Sequence, residues 1–250
     1  MNISDIQAAA IELRELSEWS ELEKCAELQE KIWGLSKEDI LPAHLMKAYC
    51  DQEDVWGIIV GAFVSNDMVG FAITLPTAHA DTYLLHMIGI LPEFQHRGIG
   101  DILIQRIKLL AKGKKIKSIS LTYDPLESVN ANLYIRKQNG ICRKYLTDYY
   151  EFHGSKTHSG FAADRFRVEL FVESEERVKL LSDLKKGSES VTIEIPLNFQ
   201  QLKNQNVQNA IDLREKTRSL FSKYINNENY VVTDFIYDRK KGAGLYFLRR

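Results

Sequence analysis

The spacing of apolar and polar positions changes several times along the chain, and each change predicts an element. Ile11-Glu12-Leu13-Arg14-Glu15-Leu16 alternates, the period of a half-buried strand. Leu22, Cys25, Ala26, Ile32 and Trp33 then keep helical spacing and stop at Gly34, and Ser20-Glu21-Leu22-Glu23 has the form of a capping box at the helix start. A short helix is expected from Ala43 to Asp51, after Pro42. The apolar runs Trp56–Phe63 and Met68–Thr74 flank an Asn66-Asp67 turn and predict a hairpin, with Tyr83–Leu91 as the next strand. A glycine-bearing loop, Gln95–Asp101, leads into a helix near 100–114.

Ile116–Tyr123 alternates again and ends at Asp124-Pro125, because proline cannot continue a central strand. A helix near 128–138 is expected to close at Asn139-Gly140, residues that tolerate left-handed geometry. Strands follow at Cys142–Phe152 and Arg165–Phe171, with a loop at 153–160 between them. A charged helix near 174–185, a linker at 186–188 and a strand at Val191–Ile195 come next. The chain closes with a helix carrying Val207, Ala210, Ile211, Leu220, Phe221 and Tyr224. Hairpin arms Tyr230–Tyr237 and Leu245–Leu248 follow, around Gly242-Ala243-Gly244. The order is β-α-α-β-β-β-α-β-α-β-β, then an appended α-β-α-β-β.

Composition narrows the class. With 250 residues, one large domain or two small ones both fit. Lys and Arg number 33 against 34 Asp and Glu, so no bulk attraction to nucleic acid or anionic membrane is implied. No apolar run approaches a membrane span, and the first residues carry no secretory signal. Cys25, Cys50 and Cys142 are odd in number and widely spaced, with no metal-like or redox-like pair, so a cytoplasmic location is expected.

The chemistry concentrates at the glycine loop. A helix N-terminus carries amides without partners and about half a positive charge. Gly98 and Gly100 let that backbone approach a ligand closely. An anion site, most naturally for phosphate, is one reading, and a plain strand-to-helix turn is the other. Leu103 stands where a Rossmann loop needs its third glycine, and the Gly-Lys-Ser/Thr of a P-loop is missing.

Gln95-His96-Arg97-Gly98-Ile99-Gly100, set between a strand and a helix in this element order, resembles the Gln/Arg-x-x-Gly-x-Gly/Ala loop of the GNAT N-acetyltransferase superfamily. The resemblance covers roughly residues 11–172. Asp124-Pro125-Leu126, Asn130-Ala131 and Asp164-Arg165-Phe166 are similar to motifs of a largely uncharacterised GNAT subgroup, as is the appended segment. The resemblance implies an α/β (α+β) fold with a mixed, mostly antiparallel central sheet flanked by helices. Residues 1–172 would form an acetyl-CoA-binding catalytic domain and residues 173–250 a C-terminal α/β extension.

It also implies direct attack of an amine on acetyl-CoA in a ternary complex, with no metal. The amides of Gln95, His96, Arg97, Gly98, Ile99, Gly100 and Asp101 would hold the pyrophosphate. Ile88, Gly89 and Ile90 would offer backbone contacts to the pantetheine arm, with an amide near Ile90 facing the thioester carbonyl, and Asn130 would add a contact or act as a helix cap. Gly89 also suggests a bulge or a close approach of backbones.

The acid and base are less directly given. Superfamily members often place a tyrosine four residues before the glycine ending this helix. Four before Gly140 is Arg136, and Tyr134 is the nearest tyrosine. As bases, His86, Asp124 and Glu127 are candidates. Asp164-Arg165 fits either a structural ion pair or an acceptor contact. The extension has three uses open to it: packing on the sheet, lining the acceptor site, or forming a homodimer contact. The acceptor is a small-molecule or peptide amine. A non-catalytic acyl-CoA-binding regulatory or interaction module is the competing reading, and a partner-binding protein that holds no CoA is a third. Turnover and acetyl-CoA binding separate them.

Overall fold

The computed structural model describes residues 10–50, 57–150, 163–184 and 189–250. The expected strand start at Trp56, the loop at 153–160 and the linker at 186–188 lie outside the described residues. The chain folds as two compact units that divide between Ile119 and Ser120, inside one strand. The divide differs from the expected boundary at 172, since residues 173–250 share a unit with residues 120–153.

In the first unit, strands β1 (Glu12–Glu15), β2 (Ile59–Val64), β3 (Asp67–Pro76) and β4 (Thr82–Ile90) lie in that order, each pair antiparallel. The β2–β3 turn uses Ser65 and Asn66, both with positive φ, the geometry that suits a tight hairpin. Helices α1 (Trp19–Trp33) and α2 (Ala43–Cys50) pack together and close a core of Leu16, Leu22, Cys25, Leu28, Met46 and Phe71. Gly34 ends α1 in the left-handed conformation, as expected. The capping box does not form: Ser20 lies inside the helix, and Glu18 precedes it without a side-chain cap. Helix α3 (Ile99–Gly113) buries Ile99, Leu103, Ile104, Ile107 and Ala111 and packs on β2, β3 and β4. That stripe follows helical spacing, so burial rather than propensity fixes its orientation.

The second unit holds β5 (Ser118–Tyr123), β6 (Ile141–Tyr150), β7 (Ala163–Phe171), β8 (Ser190–Pro196), β9 (Val231–Asp238) and β10 (Ala243–Arg249), in the order β5-β7-β6-β9-β10-β8. The β6–β7, β6–β9, β9–β10 and β10–β8 pairs are antiparallel. Its helices are α4 (Ser128–Ala131), α5 (Ser174–Leu184), α6 (Phe199–Gln205) and α7 (Val207–Phe221). Two helices widen at their ends into π-type turns, α4 over Asn132–Lys137 and α7 over Ser222–Asn227. The appended strands extend the sheet of β5–β7, so the extension packs by sheet continuation rather than as a separate body. Phe166 centres an aromatic cluster with ring centroids 4.7 Å from Phe221, 5.3 Å from Tyr246 and 5.9 Å from Tyr123 and Tyr145.

The extension grips the turn after β5 at several points. Arg214 of α7 donates from Nη1 to Asp124 Oδ1 at 2.7 Å and from Nη2 to Oδ2 at 2.5 Å. Asp124 Oδ1 also accepts from the Leu126 amide at 2.9 Å. Tyr246 donates its hydroxyl proton to the Pro125 carbonyl at 2.7 Å, so in its 3.0 Å contact with Tyr123 it is Tyr123 that donates. Ser128 Oγ donates to the Leu197 carbonyl at 2.6 Å, and Tyr237 donates to the Ser128 carbonyl at 3.1 Å. Further along, Arg136 pairs with Asp234 at 2.8 Å.

A second buried carboxylate settles half of the Asp164-Arg165 question. Asp164 accepts from Tyr145 at 2.6 Å and from Arg218 Nη2 at 2.7 Å, and is a structural anchor. Burial raises its pKa, but the bonds from Arg218, Tyr145 and the Asp148 amide outweigh burial and hold it below the usual carboxylate range.

Both side chains of the Asp124–Arg214 pair are only 5% exposed. Removing one partner leaves the other charge buried, so Asp124→Ala should lower the unfolding free energy by about 3–5 kcal/mol. The double replacement Asp124→Leu with Arg214→Met should recover most of that loss. Urea unfolding of the three variants measures both effects, and a small loss in Asp124→Ala would show the pair to be solvated.

Candidate active site

The loop after β4 is built by local bonds that leave its outer amides free. Pro92–Phe94 form one tight turn, and Gln95 Nε2 reaches back to donate to the Ile90 carbonyl at 3.0 Å. Arg97 donates to the Glu93 carbonyl at 2.8 Å and lies 5.3 Å from the Phe94 ring centroid. His96 and Gly98 take positive φ values of 61° and 83°, which turn the chain so that Gly98 caps α3. A Cβ added at Gly98 would meet nothing within 4 Å, so the space over the loop is open.

The amides divide into two sets. The Gln95 amide donates to Pro92 at 3.2 Å and the Asp101 amide to Gly98 at 3.0 Å. Between them, the amides of His96, Arg97, Gly98, Ile99 and Gly100 have no hydrogen-bond partner among the described residues. The expected donor set therefore shrinks from Gln95–Asp101 to His96–Gly100, because the end amides already close the loop itself. Consecutive free amides at a helix start suit a polyanion such as a pyrophosphate. On α3, Arg106 Nε is buried without a hydrogen-bond partner among the described residues.

The strand leading to the loop keeps a related division. Leu91 donates to the Val69 carbonyl at 2.9 Å. By antiparallel alternation the Gly89–Phe71 pair is then the next hydrogen-bonded pair, and the amides of Ile88 and Ile90 aim away from β3. Gly89 is needed for close approach: a Cβ there would sit 2.8 Å from Trp33 Cη2 and 2.9 Å from Ile32 Cδ1. The bulge lies elsewhere in the strand, at His86, where the register with Ile73-Thr74 slips by one residue. The slip leaves His86 outside the ladder with part of its surface exposed, while the groups around its ring desolvate it enough to lower its pKa.

The remaining site residues lie in the second unit. Asp124 is buried, and both its oxygens are engaged by Arg214. Asn130 is half-buried on α4, and its side chain has no partner among the described residues, so it caps nothing. Tyr134 is buried with its ring 5.3 Å from that of Tyr123, and its hydroxyl has no partner among the described residues. Burial pushes the Tyr134 phenol well above its usual pKa, so it stays protonated at neutral pH.

The wide turn also alters the tyrosine's place. The Gln138 amide donates to the Leu133 carbonyl at 2.9 Å and the Gly140 amide to the Tyr134 carbonyl at 2.8 Å, bonds that span more residues than an α-turn. Counting four residues back from Gly140 assumes an α-turn and lands on Arg136, which instead pairs with Asp234. Gly140 itself is required because a Cβ would meet the Tyr134 carbonyl at 2.6 Å and Leu170 Cδ2 at 2.7 Å. Among the described residues no group of three or more His, Cys, Asp and Glu is placed to hold a metal ion.

Residues 19–140 match the family model described as the acetyltransferase (GNAT) family. These residues are a GNAT acetyltransferase domain. The match spans the whole route from α1 through the glycine loop to Gly140, and acetyl-CoA is the cosubstrate of this family. No curated protein matches the chain. Among solved structures the fold is similar to the acetyltransferase of GNAT family from Streptococcus pneumoniae, at 13% identity and TM-score 0.54, covering 66% of this chain and 100% of that one. It is similar too to the ribosomal-protein-S18-alanine N-acetyltransferase from Escherichia coli, at 15% identity and TM-score 0.52, covering 66% and 95%. YncA from Salmonella typhimurium, solved with acetyl-CoA, aligns at 12% identity and TM-score 0.53, covering 66% and 96%. At these identities the likeness is one of fold.

The open space over Gly98 gives the GNAT loop a direct test. At one hundred times its dissociation constant, acetyl-CoA should add about 2.7 kcal/mol to stability. Gly98→Arg places a side chain over the free amides and should abolish that gain in a thermal-shift titration. An undiminished shift would remove the loop from the cofactor site.

Proposed function

We propose that the protein is an N-acetyltransferase that moves the acetyl group of acetyl-CoA to a primary amine by direct attack in a ternary complex. The observation that carries this reading is the run of unpartnered amides from His96 to Gly100 within a GNAT domain. Acetyl-CoA supplies an activated thioester carbonyl. The free amides and the α3 dipole hold its pyrophosphate, and Asn130 contributes a further contact. Ile88 and Ile90 offer amides directed away from β3, and the Ile90 amide stabilises the oxygen on which charge develops, an effect worth about 3 kcal/mol of barrier.

Tyr134 donates its proton to the leaving sulfur. Burial keeps the phenol protonated at neutral pH, and its hydroxyl has no partner among the described residues. The bond from the amine nitrogen to the acetyl carbon forms as the carbon–sulfur bond breaks, and no covalent enzyme intermediate is needed. His86 stands at the β4 bulge as a candidate base, where desolvation lowers its imidazole pKa, and Asp124 acts by holding the turn before α4. Residues 1–172 provide the catalytic part, and residues 173–250 buttress the segment that carries Asn130 and Tyr134. The acceptor is a small-molecule or peptide amine. The wide spacing of Cys25, Cys50 and Cys142 supports a cytoplasmic location.

Tyr134→Phe separates an acid from a packing residue. The hydroxyl has no protein partner, so the variant should melt with the wild type, while kcat falls about hundredfold. Equal kcat would leave Tyr134 a packing residue. Acetyl-CoA binding without CoA release across an amine panel would replace the enzyme reading with that of a binding module.

A further inference from the structure

Two stretches of the second unit fold alike. The wide turn over Asn132–Lys137 closes with the Gln138 amide on the Leu133 carbonyl at 2.9 Å and the Gly140 amide on the Tyr134 carbonyl at 2.8 Å. The wide turn over Ser222–Asn227 closes with the Glu228 amide on the Lys223 carbonyl at 3.0 Å and the Tyr230 amide on the Tyr224 carbonyl at 2.8 Å. Asn139 (φ 56°) and Asn229 (φ 59°) then turn the chain in left-handed geometry, into β6 from Ile141 and β9 from Val231.

The likeness continues along the strands. Each carries one extra residue at the same place, Arg143 in β6 and Thr233 in β9, where the ladder to the following strand slips. Each then sets one aromatic residue opposite another, Tyr145 across from Phe166 and Phe235 across from Tyr246. Ile135 and Ile225, and Cys142 and Val232, are buried at matching positions. Wide turns and bulges break regular structure, so their return at the same relative places marks a repeated unit rather than a shared period.

The two units face each other about a two-fold axis. The strand order β5-β7-β6-β9-β10-β8 reads the same from either end once β5, β6 and β7 are matched to β8, β9 and β10. Strands β6 and β9 run antiparallel with Cys142 opposite Val232, its own counterpart, so the axis passes between them. Contacts across the axis are reciprocal. Arg136 of the first wide turn reaches Asp234 of β9 at 2.8 Å. Its counterpart Asn226 accepts from the Tyr145 amide of β6 at 3.1 Å and donates to the Tyr145 carbonyl at 2.9 Å. Reciprocity of this kind belongs to isologous interfaces, those that two copies of one chain make in a symmetric dimer.

We infer that residues 190–250 are a second copy of the β-α-β-β arm at 118–171 and serve as its built-in partner. The free side of β6 fits a like arm, the chain supplies that arm itself, and the protein works as a monomer. The inference does not depend on the acetyltransferase reading. The copies differ in what they enclose: Tyr134 is buried, whereas Tyr224 is partly exposed, with Lys223 Nζ 4.8 Å from its ring centroid. The second arm keeps the scaffold without the enclosed tyrosine.

Equivalence of the arms makes a specific exchange testable. Asn226 is the counterpart of Arg136, and Lys144 is the counterpart of Asp234. Asn226→Arg with Lys144→Asp should therefore rebuild, on the far side of the axis, the ion pair that Arg136 makes with Asp234. Urea unfolding of the full-length wild type, both single variants and the double variant closes a cycle. The folding constant of the double variant should exceed the value expected from the two singles by about twofold to fivefold, the coupling of an exposed ion pair. Sedimentation equilibrium of the wild type should give the mass of one chain, 28.8 kDa, at every concentration. A cycle without coupling, or a particle with the mass of two chains, overturns the inference.

Discussion

The Asp124–Arg214 pair is the contact on which the second unit depends. It joins residues ninety positions apart in the chain and lies in a place where neither side chain reaches water to any extent. Taking two charges out of water costs several kcal/mol each, and a well-packed apolar pair could match the result. The geometry indicates what the charges add. A bidentate guanidinium–carboxylate contact has a fixed plane and direction, and the Leu126 amide bonds to the same carboxylate. Together these fix where the chain leaves β5 and the angle at which it enters α4. An apolar replacement would keep the packing and lose the direction. Tyr246 on Pro125, Tyr237 on Ser128 and Arg136 on Asp234 then repeat the restraint along the same segment.

The glycine loop of the first unit and the short helix of the second are held by different means. The cofactor side is mostly backbone: amides of the glycine loop and of alternate positions on β4, held by bonds local to the loop. Such a cradle tolerates exposed side chains at Gln95, His96 and Arg97, because the ligand is read by groups every residue carries. In the second unit, by contrast, Ser128–Ala131 is a short helix that would be marginal alone. It therefore needs outside support, and the extension supplies it. Six residues of the extension, from Leu197 to Tyr246, bond directly to the stretch from Tyr123 to Arg136.

This difference also explains what could be read from sequence. The loop was legible because positive φ at a tight turn and free amides at a helix start leave a local mark in glycine spacing. The strand and helix order was legible from period, down to Gly34, Asn66 and Asn139 as stops and turns. Features set by a partner were not. The bulge at His86 depends on how β3 pairs with β4, and Gly89 answered to Trp33 on a helix far away in sequence. Tyr134 looked out of register because a count of four presumes an α-turn, and the wide turn over Asn132–Lys137 has no period of its own in the sequence. Ser20-x-x-Glu23 matched a capping box by spacing alone, yet α1 begins one residue before Ser20. Helix α6 was missed although its signal was present. Asn198 and Asn206 each accept from the amide three residues on, at 2.9 and 3.0 Å, and mark two helix starts in close succession. The Asp124–Arg214 pair had no local mark at all, and Asp124 alone read equally well as a base or a turn residue.

If the cofactor cradle is local and the short helix is buttressed, the two should vary by different rules. A change in the loop acts on amides and so on every acceptor alike. A change in α6 or α7 acts through Gln200 or Arg214 on the positions of Glu127, Asp124 and the helix between them and Arg136. The extension's own core supports this division. Phe199, Ala210, Phe221 and Ile225 are buried, which makes α6, α7 and the turn after α7 a packed platform rather than a loose appendage. A platform of this kind can change its polar contacts at Gln200 without giving up its packing. The matched GNAT domain ends at Gly140, so Gln200 and Arg214 lie outside it while the turn and helix they hold lie within it.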